Sequence, residues 1–406
     1  MAITAITTPS APALAYQPII FKLESNSATI VNLVIEVAIS EDGGITAPRV
    51  AAISVSPDLG TVDEFTFDIQ EVIKKHVSFK LKTIGASAVI NDVDNIQFRI
   101  KAYEVVLTSG VLVTAYDPDN ANNASFDYQS SNIPSFNWRE SHFSLATFDK
   151  QNYKLDGLSK KFLSEAPTTK DIELASNEFL GMAWTESSGG VKNYIIKVLT
   201  YNNLGALLNT DNLSVLDWNT IVVSSLTDPY LDVPVGTANL IAMGVSLTNV
   251  AKYTIQLVSD DGIRSELKSY NIVDSCPTDA RIHFINKFGK QDSITLKGNQ
   301  IEGIAYKSAT YEKALSTTYS ASDFGRAVIH NELERNFTAY SKSIGRDVLN
   351  FANTMLVTRT AWIEINNNYF SILIDEGSKV VRNEEDMPIQ FVLNFSLANN
   401  EKGHKL

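Results

Sequence analysis

Near its C-terminal end the chain reads Phe391-Val392-Leu393-Asn394-Phe395-Ser396-Leu397. Phe391, Leu393, Phe395 and Leu397 alternate with Val392, Asn394 and Ser396. A strand points successive side chains to opposite faces, so a period of two marks a strand with one buried and one wetter face. The same rhythm recurs upstream. Phe98, Ile100 and Ala102 alternate with Arg99, Lys101 and Tyr103, and Tyr253, Ile255 and Leu257 alternate with Thr254 and Gln256. Many such runs, rich in Val, Ile, Thr, Tyr and Phe, are separated by Asn, Asp, Gly and Ser clusters. Glu41-Asp42-Gly43-Gly44 and Asp260-Asp261-Gly262 read as hairpin turns, because Asp-Gly tolerates the positive φ of a type I′ turn. The fold class is mainly β: two β-sandwich-like domains followed by a C-terminal α+β domain with one clear helix.

Three segments follow from where the pattern lapses. Residues 1–140 form an N-terminal β-sandwich domain, with a Pro/Ala/Thr leader, a strand at Thr29–Ile39 and the block Phe65-Thr66-Phe67-Asp68-Ile69-Gln70-Glu71-Val72-Ile73. In that block Asp68 is placed to cap one short helix, with Glu71 completing a capping-box-like pair. Asp117 to Asn132 reads as a long loop. Residues 141–278 form a middle immunoglobulin- or fibronectin-like domain, with strands around Asn193–Tyr201, Thr220–Ser225, Asn239–Leu247 and Lys252–Ser259. Residues 279–406 form a C-terminal α+β assembly domain. It opens with a strand at Arg281–Asn286, a turn at Lys287-Phe288-Gly289-Lys290 and a strand at Ser293–Leu296. Ile344, Val348, Phe351, Ala352, Met355 and Leu356 then recur at helical spacing. Strands at Ala361–Ile365, Tyr369–Asp375 and Pro388–Ala398 follow, with Asn366-Asn367-Asn368 as a hairpin turn. No solenoid period or heptad run is present.

Composition narrows the function. The chain has 406 residues, so about 150 per domain gives two to three domains. At 44% hydrophobic and 20% charged it has material for real cores, which excludes wholesale disorder. With 34 Lys+Arg against 46 Asp+Glu the net charge is −12, so no nucleic-acid partner is expected. No run reaches the ~18 apolar residues of a membrane helix and the N-terminus has no signal-peptide pattern, so no membrane insertion and no secretion are expected. Cys276 is the single cysteine, which rules out an intrachain disulfide framework and a Cys-based zinc site.

Motifs of catalysis and cofactor binding fail one by one. Gly289-Lys290 lacks the rest of a phosphate-binding loop, and no G-x-G-x-x-G follows a strand. The five histidines, His76, His142, His283, His330 and His404, share no metal-ligand spacing, and His283 falls on the strand face opposite Ile282 and Phe284. Asp117-Pro118-Asp119-Asn120 lacks the glycine and glutamate of a calcium loop, which stand here as Asn122 and Tyr128. Glu332 and Glu334 read as an exposed charged face with Arg335, and Cys276 as a plain thiol at a domain junction. Trp138, Trp184, Trp218 and Trp362 read as core fillers. No catalytic, cofactor-binding or metal residue is assigned, and no cofactor is expected.

Four ordered segments carry a resemblance. They are Pro18-Ile19-Ile20-Phe21 with the Phe65–Ile73 block; Ala280-Arg281-Ile282-His283-Phe284-Ile285-Asn286-Lys287-Phe288-Gly289-Lys290-Gln291-Asp292; the helix running into Asn353–Ile365; and Phe370–Ser378 before the terminal strand. The arrangement resembles virion structural proteins (tail, baseplate or neck) of tailed phages infecting Bacteroidetes-type hosts, more at the two ends than in the middle. The resemblance implies a non-enzymatic virion component that assembles into a symmetric ring or sleeve, with copies of itself and other virion proteins as partners. It implies no catalytic residues. On this reading the leader and the tail Asn399–Leu406 are either arms onto adjacent subunits or frayed ends. The alternative is a carbohydrate- or receptor-binding β-sandwich adhesin, with a glycan contacted through the Asn/Asp-rich loops 117–132 and 202–213. An enzyme such as a glycosidase is disfavoured, since no acid/base pair can be named.

Overall fold

The computed structural model describes residues 3–9, 15, 18–27, 29–40, 48–61, 63–77, 79, 81–82, 89–90, 95–114, 126–129, 133–134, 152–153, 160–183, 194–214, 230–259, 262–277, 279–314, 317–318, 320, 325–342, 344–358, 360–365, 368–381, 390–398 and 401–402. The chain is mainly β, as the alternating runs require. It divides into two units that each draw on separate stretches: residues 1–164, 175–271 and 286–291 form the first, and 165–174, 272–285 and 292–406 the second.

Within the first unit, two sheets share a core. A three-stranded sheet orders Ile3–Thr7, Ile20–Ser25 and Glu64–Asp68, and a second sheet is built on Ile30–Ser40 between Arg49–Val55 and Asn95–Thr108. Phe21, Leu23, Phe65 and Phe67 from the first meet Leu33, Ile35, Phe98 and Ile100 from the second, all nearly fully buried. Phe21 stacks on Phe67 (centroids 5.4 Å apart) and meets Phe98 edge-on at 6.1 Å. Two sheets interdigitating alternate side chains make a sandwich-like arrangement. Each buried aromatic or aliphatic side chain contributes about 1.5–3 kcal/mol. The leader contributes to this core rather than reaching away: Ile3 and Ala15 are buried, and Ile3–Thr7 pairs antiparallel with Ile20–Ser25.

The same unit holds a second pair of sheets. One runs Lys268–Val273, Lys252–Ser259, Tyr194–Tyr201, Leu207–Leu213; the other joins Phe179–Ala183, Tyr230–Pro234 and Val89–Ile90. Tyr253 stacks on Tyr270 at 5.0 Å, and its hydroxyl donates to the Val235 carbonyl at 2.9 Å, tying the sheets together. The stretch expected as a strand at Asn239–Leu247 is instead the helix Thr237–Ala242 followed by a turn. Ala, Leu, Ile and Met follow each other there without alternation, and such a run does not separate helix from strand. The tertiary frame decides: the Asn239 side chain accepts the Glu178 amide at 3.1 Å. At Gln70–His76 a short helix forms as expected, but its N-cap is Ile69. Asp68 accepts the Gln70 and Ile19 amides, and Glu71 pairs with Lys74 in place of a capping box.

The second unit is a nine-stranded sheet. Its main path runs Gln291–Leu296, Ala280–Ile285, Ala361–Ile365, Asn368–Ile374, Gln390–Leu397, Arg326–Tyr340, Gln300–Glu312. The expected helix forms at Arg346–Leu356 and buries Leu349, Phe351, Ala352 and Met355 against one sheet face, alongside Phe284, Phe337, Leu393 and Phe395. Of the remaining expectations, the Glu41–Gly44 turn, the Thr220–Ser225 strand, most of the 117–132 loop, Trp138, Trp184, Trp218, His142 and His404 lie outside the described residues.

Candidate functional site

The sheet of the second unit outruns its helix. Gln300–Glu312 pairs antiparallel with Arg326–Tyr340 along its whole length, from Gln300↔Ala339 to Glu312↔Arg326. At about 3.3 Å per residue, thirteen residues give a ribbon of about 40 Å, called here the arm. At its root, Ala339 and Phe337 are buried, and Phe337 stacks on Phe395 at 5.2 Å. Opposed residues share a face, so that same face continues outward through Ile304↔Arg335 and Tyr306↔Leu333. Here Ile304 and Tyr306 are 62% and 61% exposed, and Leu333 is exposed as well. The core face therefore runs out past its cover. Ion pairs Lys307–Glu334 (2.6 Å), Arg335–Glu302 (3.7 Å) and Arg326–Glu312 (3.4 Å) brace the ribbon. Near the tip the register skips Ile329, between Ala309↔His330 and Thr310↔Val328, which is a bulge. Among the described residues, no strand pairs with the outer edge of Gln300–Glu312. Such an edge presents a row of amides and carbonyls that a further strand can pair with.

The opposite face of the same sheet is sealed by charge. Arg281 and His283 alternate with Ile282 and Phe284, so the apolar pair reaches the core and the basic pair the other face, as the alternation predicts. His283 is nonetheless fully buried. Its Nε2 lies 2.8 Å from Glu364 Oε2, its ring meets Tyr369 edge-on at 5.3 Å, and Arg281 Nε lies 3.4 Å from the same carboxylate. Arg281 also donates to Ser293 Oγ at 2.9 Å. Burial opposes the charged form of Glu364, but the His283 hydrogen bond and the Arg281 and His283 charges outweigh it and hold the carboxyl below its ordinary value. Burial raises the nearby Glu173 carboxyl, partly offset by Arg281. The members of this cluster are tied to one another by charge, and among the described residues no nucleophile stands beside a base in it.

Next to the helix N-terminus lies a cleft of about 370 Å³. Lys170, Lys297 and Lys342 line it together with Asp171, above the apolar side chains Ile294, Ile344, Val348 and Phe351.

In the first unit, the turn expected at Lys287–Lys290 forms: Gly289 takes a positive φ of 70°, and Asn286 Oδ1 accepts the Phe288 and Lys290 amides. Lys290 itself is buried, its Nζ 3.6 Å from Asp232, whose carboxylate also pairs with Lys82 at 2.7 Å. A Cβ on Gly181 would stand 2.4 Å from the Lys290 stem, so glycine is required there. Two ammoniums around one fully buried carboxylate make a structural triad. Removing one member of such a group typically costs about 3–5 kcal/mol.

The structure does not bring the sequence-flagged residues together. Cys276 is exposed, and Trp362 is buried in the sheet beside His283. Glu334 and Arg335 form ion pairs with Lys307 and Glu302. Among the described residues no group of three or more His, Cys, Asp or Glu is placed to hold a metal ion, and no helix is long and apolar enough to cross a membrane. The 202–213 segment is a tight turn, closed by Asn202 and with Gly205 at φ 79°, and an exposed edge strand carrying Leu207 and Leu208. The arm escaped the sequence reading. Its apolar residues are diluted by Glu302, Lys307, Glu312 and Arg335, which blurs the two-residue period.

No family model matches the chain. No curated protein matches it either. Among solved structures, a crystal structure of the calcium-binding domain CBD12 of CALX1.1 is 9% identical; the match covers 67% of this chain and 100% of that one, at a TM-score of 0.17. So low a score carries no argument.

Proposed function

We propose that the chain is a non-enzymatic structural component of a tailed-phage virion (tail, baseplate or neck), which assembles into a symmetric ring or sleeve through contacts between β domains. The observation that carries the reading is the arm. Its exposed Ile304, Tyr306 and Leu333 continue a core face, and its outer strand is an open edge. A contiguous exposed apolar face on a long edge strand is an aggregation hazard for a protein that works alone, and a docking surface for one that works in an assembly. Cyclic symmetry then multiplies one contact into a closed array. The resemblance of the terminal segments to phage virion proteins supplies the class of particle.

Light scattering on the size-separated protein and mass spectrometry of purified particles test the reading. The expected result is a cyclic oligomer, with the chain among the particle proteins. The triple variant Ile304→Ser, Tyr306→Ser, Leu333→Ser is expected to be monomeric with an unchanged melting temperature. A strictly monomeric wild-type chain that is absent from particles overturns it.

A further inference from the structure

The assembly reading leaves the cleft beside the Arg346–Leu356 helix unused. Its volume of about 370 Å³ lies at the small end of the range for small-molecule sites. Its chemistry is two-sided. Ile294, Ile344, Val348 and Phe351 supply an apolar surface, whereas three lysines against one acid, Asp171, leave the lining net positive. Lys170 is the most enclosed of the three: nine-tenths buried, its ammonium donates to Ser293 Oγ at 3.3 Å and lies 5.6 Å from the centre of the Phe351 ring. A charge held this deeply lies where water screens it least, so it acts strongly on any charge that enters. Lys297 donates to the Asp274 carbonyl at 3.2 Å, and Lys342 stands exposed at the rim. Gly345, the N-cap of the helix, also lines the cleft and offers no side-chain cap to the first turn, which adds a partial positive charge on the same side.

An inorganic anion would meet the positive charge of the lysines and leave the apolar surface wet. A neutral hydrocarbon would do the reverse. We infer that the cleft binds a small organic monoanion with an apolar body, of the class of a medium-chain carboxylate, its charged end among Lys170, Lys297 and Lys342 and its chain along Val348 and Phe351. A polyanion such as nucleic acid is excluded by the enclosed size of the cleft and by the net charge of −12 on the chain.

Calorimetric titration of the full chain with octanoate, octanamide and inorganic phosphate tests this. Octanoate is expected to bind with a Kd of about a millimolar or tighter. Octanamide, which keeps the apolar body without the charge, and phosphate, which keeps charge without the body, are each expected to bind at least about tenfold more weakly. The double variant Lys297→Gln, Lys342→Gln is expected to weaken octanoate by about tenfold. Lys342→Gln alone, at an exposed position that tolerates exchange, is expected to weaken it by a factor of about three. The proposal is overturned by any of three results: no heat with octanoate, octanamide binding as tightly as octanoate, or octanoate affinity unmoved by Lys342→Gln. None of these depends on whether the chain forms oligomers.

Discussion

Phe337 and Leu333 lie four residues apart on one strand and point to the same face of one sheet, yet they live in different solvents. Phe337 is buried, stacked on Phe395 and covered by the layer to which the Arg346–Leu356 helix belongs. Leu333 stands opposite Tyr306 on the arm, in water. Both positions are extended, apolar and paired on either side, Phe337 with Glu302 and Phe395 and Leu333 with Tyr306 and Glu401, but only Phe337 has a packed layer over its face. Burial is therefore a property that neighbouring elements confer on a strand. The alternation in the strand itself prepares a face and leaves open what will meet it.

The largest expected effect lies at the root. Phe337→Ala removes a stacked aromatic from a closed core and is expected to cost about 3–5 kcal/mol in chemical denaturation. A loss below about 1 kcal/mol would mean that root and arm are equally wet, and the contrast would collapse. Next comes the charged seal on the reverse face. Glu364→Gln leaves Arg281 and His283 facing an amide and is expected to cost about 1–3 kcal/mol near neutral pH. Because the Glu364 carboxyl is held below its ordinary value in the fold, its stabilisation is present above the ordinary carboxylate range and fades as pH falls toward the lowered value. Stability of the variant measured from neutrality down into that range is thus expected to fall less steeply than that of the parent. An unchanged acid limb would show that the seal is not electrostatic. The smallest effect on stability is expected on the arm, where Leu333→Ser and Tyr306→Ser should each stay within about 0.5 kcal/mol of the parent. A larger loss would show that the arm is already covered within its own chain.

The sequence was most readable where a strand or helix has a full apolar side. The Lys252–Ser259 strand and the Arg346–Leu356 helix stand where their periods place them. It was least readable where tertiary contacts choose between options. The Ala-Asn-Leu-Ile-Ala run at 238–242 suits helix and strand alike, and only the Asn239 bond to Glu178 shows which is taken. Lys290 sits in a turn that the sequence marks clearly, but no local signal tells that its side chain turns inward to Asp232, a partner far along the chain. His283 was legible as lying opposite the core and illegible as buried, since its cover comes from Glu364 and Tyr369. For the arm, the two-residue period is too short to read: on the face of Ile304 and Tyr306 the neighbouring positions are Glu302 and Ser308, and the facing strand puts Arg335 between Phe337 and Leu333.

The skipped Ile329 near the tip of the arm sets a limit of its own. From Gln300 to Ala309 the ribbon is regular, and past that point the extra residue steepens its twist. An incoming backbone can zip along the regular stretch and then finds the rungs turned away. On the assembly reading, the arm would carry its own stop, one that limits how many rungs a strand added at this edge can make.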